Sequence, residues 1–270
     1  MGQLNKKKGL KNMENEKESL EIIQKSSIGS ETTQIGVQNN YNGLSISSVI
    51  ETAFSIFKEY YPQLKNEALN EVRKLVDAKL EAVGEENIIM PKPKNVIPVL
   101  QNASITEESI LRELYANLLS SSMIKGLESR VHPAFVHIIN QMSAQDAMLL
   151  NSIVEINNSI PVAHVKFTFD TQYLTEVLPH YYSPYFTYSE DKNQISLSIE
   201  NLSRLQLINL FEGNVISYYY DRIKTDPFIQ KRYEYAKLNN PTRILNIGLD
   251  EYVIQLNDLG KNFVEICLSP

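Results

Sequence analysis

The sequence predicts a mainly α-helical protein with a smaller β content, an α+β chain, and three observations carry that prediction. Apolar residues recur at helical spacing through most of residues 45–156. From about residue 160 the pattern turns to β-branched and aromatic residues in partial alternation. The first 44 residues are largely Lys, Glu, Asn, Gln and Ser, with too few apolar positions to offset the entropy of ordering them, so a disordered N-terminal tail is expected there. The expected organisation is a tail over 1–44, a helical region over 45–142 and a mixed region over 143–270, the last two forming one body.

The first helical pattern opens at Ser45 or Ser47. Val49, Ala53, Phe54, Ile56, Phe57 and Tyr60 recur on one side, with Glu51, Lys58 and Glu59 on the other, until Pro62 breaks it. A second run from about Gln63 carries Leu64, Ala68, Leu69, Val72, Leu75, Val76 and Leu80 and closes near Gly84, a residue suited to a C-terminal cap. Pro91, Pro93 and Pro98 predict an extended connector, because proline lacks the N–H and restricts the residue before it. Ser104 and Glu107 have capping-box spacing and predict the start of a helix with Ile110, Leu111, Leu114, Tyr115, Leu118, Leu119 and Met123 on its apolar face. Pro133 suits the first turn of a helix over 134–142. Ser143 and Asp146 open another, through Leu149, Leu150 and Ile153. Beyond it the pattern predicts a strand over 162–169, a short helix over 174–178, an aromatic loop around Pro184 and a helix over 195–210. Two strands over 244–249 and 252–255, joined near Asp250-Glu251, and a closing helix over 256–268 complete the reading.

Bulk properties exclude several function classes. A net charge of −6 and a pI near 5.4 argue against a protein built mainly to neutralise phosphates. The single Cys267 rules out an internal disulfide framework and a Cys-rich zinc site, and fits a reducing compartment. No apolar run reaches the roughly 18–20 residues of a membrane span. Lys6-Lys7-Lys8 is followed by no apolar core, and Lys6 stands where myristoylation after Met1-Gly2 needs Ser or Thr. A soluble, cytoplasmic protein is expected.

Candidate chemistry is sparse. His132 and His137 are five apart, not the i, i+4 spacing that places two ligands on one helical face. His132 reads as a flank of the helix start at Pro133, His164 lies in the strand-like run, and His180 lies in the tyrosine-rich loop. None has a neighbour at metal spacing. Cys267 sits in an apolar helix without a basic neighbour and reads as a packed thiol. Glycines are scattered and none forms a phosphate loop. Glu190-Asp191-Lys192 reads as a solvated turn. Tyr218-Tyr219-Tyr220 with Arg222 and Lys224 has the residue types for stacking on bases, but a half-buried amphipathic face accounts for it more simply. No catalytic, cofactor-binding or metal residue is assigned, no cofactor is expected, and the chain does not read as an enzyme.

The run Gln34-Ile35-Gly36-Val37-Gln38-Asn39-Asn40-Tyr41-Asn42 resembles the core of the RIP homotypic interaction motif, an amyloid-forming signalling segment. Stacked in register, Gln34, Asn39 and Asn40 supply amides for ladders, with Ile35, Val37 and Tyr41 alternating on one face and Gly36 allowing close approach. No Pro and no charge lies between Thr32 and Ser48. A polar linker with a turn at Asn40-Tyr41-Asn42-Gly43 is the alternative. The assembly reading implies partnership with copies of this chain or with a protein carrying a similar motif.

Three further runs carry a second resemblance. Leu111-x-x-Leu114-x-Ala116-Asn117-Leu118-Leu119 is followed by His132-Pro133-Ala134-Phe135 and by Ser143-Ala144-Gln145-Asp146. With Asn201-Leu202-x-Arg204-Leu205 and Leu259-Gly260-Lys261-x-Phe263, they are similar to the Abi-alpha family of bacterial abortive-infection proteins over about residues 50–270. These motifs are structural in type, so the resemblance implies phage defence without implying a reaction. The C-terminal part also resembles a winged-helix unit: a Ser-capped helix, the Asn-Leu-x-Arg-Leu helix, a two-strand hairpin and a closing segment. A nucleic-acid-binding regulator is the alternative this implies. Arg204 is the only cation between Lys192 and Arg222, a poor phosphate surface, which favours packing or protein contact.

Overall fold

A serine starts the first helix and a proline stops it. In the computed structural model, which describes residues 45–62, 67–156, 159–169, 174–176, 180–186, 191–213, 217–241 and 245–268, helix α1 (Ile46–Tyr60) is capped by Ser45. The Ser45 hydroxyl accepts the Ser48 N–H at 3.2 Å. Helix α2 (Glu67–Glu81) buries Leu69, Val72, Val76 and Leu80, and Arg73 ties it to α1 through Glu51 and the Phe54 ring. The expected tail over 1–44 lies outside the described residues.

The connector expected from Pro93 and Pro98 is instead helix α3 (Pro93–Ile105). Pro93 occupies the first helical position, where an N–H is not needed. Pro98 is interior and costs about 3 kcal/mol on propensity grounds. The burial of Val96, Val99, Leu100 and Ala103 at helical spacing outweighs that cost, at about 1.5–3 kcal/mol for each large side chain. The same extension absorbs Ser104, whose hydroxyl donates to the Gln101 carbonyl at 2.7 Å. The Ser104–Glu107 capping box therefore does not form, and α4 (Ser109–Ser121) begins after Glu108 with no side-chain cap.

Helix α4 is the centre of the helical layer, buried on nearly every side. Arg112 at its start pairs with Glu71 of α2 at 2.7 Å. Helix α5 (Ala134–Asn140) follows Pro133, and the Ala134 N–H donates to His132 Nδ1 at 3.1 Å, so His132 does flank a helix start. Helix α6 (Ala144–Glu155) carries the expected box: Ser143 Oγ accepts the Asp146 N–H, and Asp146 Oδ2 accepts the Ser143 N–H.

Four strands follow, β1 (Ile160–Phe169), β2 (Leu174–Glu176), β3 (Ile208–Glu212) and β4 (Leu245–Leu256), in the antiparallel order β2-β1-β4-β3. Residues 174–176 are thus strand, not the expected helix. Helix α7 (Lys192–Arg204) ends earlier than expected, because Gln206 turns left-handed at φ 58° and redirects the chain into β3. The two strands expected around Asp250-Glu251 are one. Pairing with β1 at ten consecutive positions, from Ile160 opposite Ile254 to Phe169 opposite Leu245, overrides the turn tendency of the acidic pair. The expected hairpin is consequently β3 with β4, separated in sequence by α8 (Ser217–Thr225) and α9 (Pro227–Leu238).

The sheet is buried from both sides. Ile160, Val162 and Ile254 join the main core, which runs from Val49 to Cys267. Ala163, Val165 and Phe167 point the other way, into a second core with Tyr220 and Ile223 of α8 and Ile229 of α9. Tyr220 is buried and donates to the Tyr252 carbonyl at 2.9 Å, whereas Tyr218 is exposed, so the tyrosine run is an amphipathic face. Helix α10 (Asp258–Cys267) closes the chain under an Asn257 cap. No helix among the described residues is long and apolar enough to cross a membrane.

Gly260 in α10 lies directly against the Leu207 carbonyl, where a Cβ would overlap the oxygen. Gly260→Ala is expected to destabilise the protein by about 1–3 kcal/mol, the usual cost of overpacking. A denaturant melt with an unchanged midpoint would contradict this close approach.

Candidate functional site

The residues whose pattern stands out in the sequence meet at one joint. Asn117 and Ser121, one turn apart on α4, donate to the last carbonyls of α10: Asn117 Nδ2 to Cys267 at 2.7 Å and Ser121 Oγ to Ile266 at 2.9 Å. Those carbonyls have no partner inside their own helix, so α4 supplies what the helix end lacks. At the other side, Asp146 is 3% exposed and accepts Asn201 Nδ2 at 2.8 Å in addition to its own capping bond. Arg204 donates through Nε and Nη2 to Asn201 Oδ1, at 3.0 and 2.7 Å, and through Nη1 to Gln141 Oε1 at 2.9 Å. Phe135 meets Phe263 edge to face at 5.3 Å. Arg130 pairs with Glu265 through both oxygens and holds that carboxyl below the usual range. This set clasps α4–α6 to α7 and α10. It contains no nucleophile beside a base.

A second cluster was not foreseen. Side chains at even positions of β1 share a face, and the register puts His164 opposite Asp250. Beyond Val162 that face leaves the main core and becomes half-exposed. There Lys166 is ion-paired with Asp250, whose Oδ2 is also 3.7 Å from His164 Nδ1. The loop after β2 brings His180 over His164, with ring centroids 4.6 Å apart. Tyr181 meets His180 edge to face at 4.5 Å and Tyr252 likewise at 5.5 Å. Burial, then the neighbouring Tyr252 and Glu200, pushes the Tyr181 phenol up, away from ionisation. Tyr182 pairs with Ala163 on the backbone at 2.9 Å. Its phenol is pushed up by burial and by its bond to Asp226. Two imidazoles, a carboxylate already matched by an ammonium and un-ionised phenols suit reversible binding better than covalent chemistry. Only the β1–β4 register could have revealed this cluster, and the sequence placed a turn at Asp250.

Among the described residues, no group of three His, Cys, Asp or Glu is placed to hold a metal ion. Cys267 is fully buried and burial pushes its thiol well up. The assembly residues Gln34, Ile35, Gly36, Val37, Gln38, Asn39, Asn40 and Tyr41 lie outside the described residues.

Comparison with known proteins places this architecture. A family model described as abortive infection alpha matches residues 64–267, a span that takes in the whole clasp. No curated protein and no solved structure matches the chain.

Two outcomes follow from the clasp. Asp146→Ala is expected to cost about 1–3 kcal/mol, from the lost cap and the stranded Asn201 donor. Combined with Asn201→Ala it should show a coupling of about 0.5–3 kcal/mol, and additivity in that double-mutant cycle would show that the two are independent. Cys267 is expected to resist iodoacetamide at mildly alkaline pH until the protein is unfolded. Rapid labelling of the native state, read by mass spectrometry, would refute the packed thiol.

Proposed function

Because the chain belongs to the abortive infection alpha family, we propose that it acts in cytoplasmic anti-phage defence by assembling through its N-terminal segment. Gln34–Tyr41 recruits further copies of the chain, or a partner with a like motif, and the body senses infection or executes the arrest. The observation that carries this reading is the composition of that segment. Its amides and alternating Ile35, Val37 and Tyr41 are uncharged and lie N-terminal to the span that the family model matches. On this proposal the protein works by association and not as an enzyme. The body's own polar residues support that view, since Asn117, Asp146, Asn201 and Arg204 are engaged with one another or with backbone. No observation favours the nucleic-acid alternative, and Arg204, the one cation between Lys192 and Arg222, is bonded to Gln141 and Asn201.

A peptide of residues 32–44 is expected to form thioflavin-positive fibrils with cross-β spacing, and replacement of Gln34, Ile35 and Gly36 by alanine should abolish them. The same triple replacement in the full chain is expected to abolish phage protection in cells while leaving the melting temperature nearly unchanged. Full protection by the triple variant in a phage-challenge assay would overturn the assembly reading.

A further inference from the structure

The structure also holds a pocket of about 240 Å³ between α3, α4 and α5 that the clasp and the sheet cluster do not use. Its walls are apolar, with Val99 from α3, Leu118 from α4 and Val136 from α5. Its rim is cationic or donating: Lys94 in the first turn of α3, and His132 and His137 on either side of the start of α5. No carboxylate is among the described residues that line it. His132 is oriented for donation, because its Nδ1 accepts the Ala134 N–H and the ring proton of the neutral form therefore sits on Nε2. Lys94 and Asn95 belong to the N-terminal turn of a thirteen-residue helix that has no side-chain cap, so the backbone adds positive potential to the same rim. Apolar walls with a few convergent polar groups are the ordinary form of a small-molecule site.

We propose that this pocket binds a small amphiphilic anion, with an acyl- or alkyl-like body against Val99, Leu118 and Val136 and a carboxylate or phosphate head at Lys94, His132 and His137. The argument is charge complementarity between an acid-free rim and an anionic head, joined to apolar walls that exclude a purely hydrophilic ion. It is independent of how the N-terminal segment acts.

Calorimetric titration of the full-length protein tests it, with octanoate, octyl phosphate, octanol and inorganic phosphate as separate probes. At least one of the two amphiphilic anions is expected to bind saturably, with octanol and inorganic phosphate weaker by about tenfold or more. A preference for octanoate marks a carboxylate head, and a preference for octyl phosphate marks a phosphate head. Lys94 and His137 are exposed, so the Lys94→Ala/His137→Ala variant should fold normally and lose about tenfold in anion affinity while its octanol affinity stays the same. Val136→Phe, which fills the cavity, should reduce binding of every amphiphile. An affinity for octanol equal to that for the tighter-binding amphiphilic anion would overturn the anion assignment. Saturable binding that survives the double variant would place the ligand elsewhere, and no binding of either amphiphilic anion would refute the site.

Discussion

The burial of α4 on nearly every side is the constraint on which the rest of the body depends. Nine of its thirteen residues are buried, so the helix has almost no solvent face and its buried Asn and Ser donors are met by protein carbonyls, while the Tyr115 hydroxyl has no partner. Ser120 donates back to Ala116 at 2.8 Å, and Ser122, just past its end, to Leu119 at 2.6 Å. Asn117 and Ser121 cannot be satisfied so locally, and their acceptors are the terminal carbonyls of α10, some 145 to 150 positions away in sequence. The central helix and the last helix therefore complete each other. A break in either leaves a buried donor or acceptor unpaired, at about 1–3 kcal/mol each.

The sheet extends that logic to the C-terminal half. With α8 and α9 on one face and the main core on the other, β1 reads as a nearly continuous apolar run from Ile160 to Val165 and not as a clean alternation. Alternation returns at His164, Lys166 and Thr168, where one face runs past the helices. The half-exposed cluster is a product of that geometry: it forms where the sheet outgrows its cover on one side. Lys166 and Asp250 neutralise each other there, beside the paired rings of His164 and His180.

Elements whose signals are local were legible. Helix α1 with its Ser45 cap, α2, the Ser143 start of α6 and α10 follow from local signals, and α4 follows from periodicity, although its expected cap does not form. The misread elements are those that tertiary packing decides. Pro98 argues against a helix until the burial of Val96, Val99 and Leu100 is weighed against it. Asp250-Glu251 argues for a turn until β1 supplies ten partners. The candidate site divides in the same way. The clasp residues stood out as a pattern, but their bonds span up to 150 positions, and sequence spacing says nothing about such pairs. His164 and His180 were both named and kept apart, because the loop that folds one over the other has no local code.

The two parts of the proposed mechanism differ in their dependence on concentration. The clasp and the cores are made by contacts within one chain. Cross-β assembly is intermolecular, with each added copy hydrogen-bonded to the one below, and it begins only above a threshold concentration. A body that brings several copies to one place raises the effective concentration of their N-terminal segments, by as much as the millimolar range for short flexible tethers. Only Asn42, Gly43 and Leu44 separate the Gln34–Tyr41 segment from Ser45, so gathered bodies bring their segments close together. On this proposal the body needs no chemistry to signal. It needs a surface or a ligand that gathers copies when infection occurs.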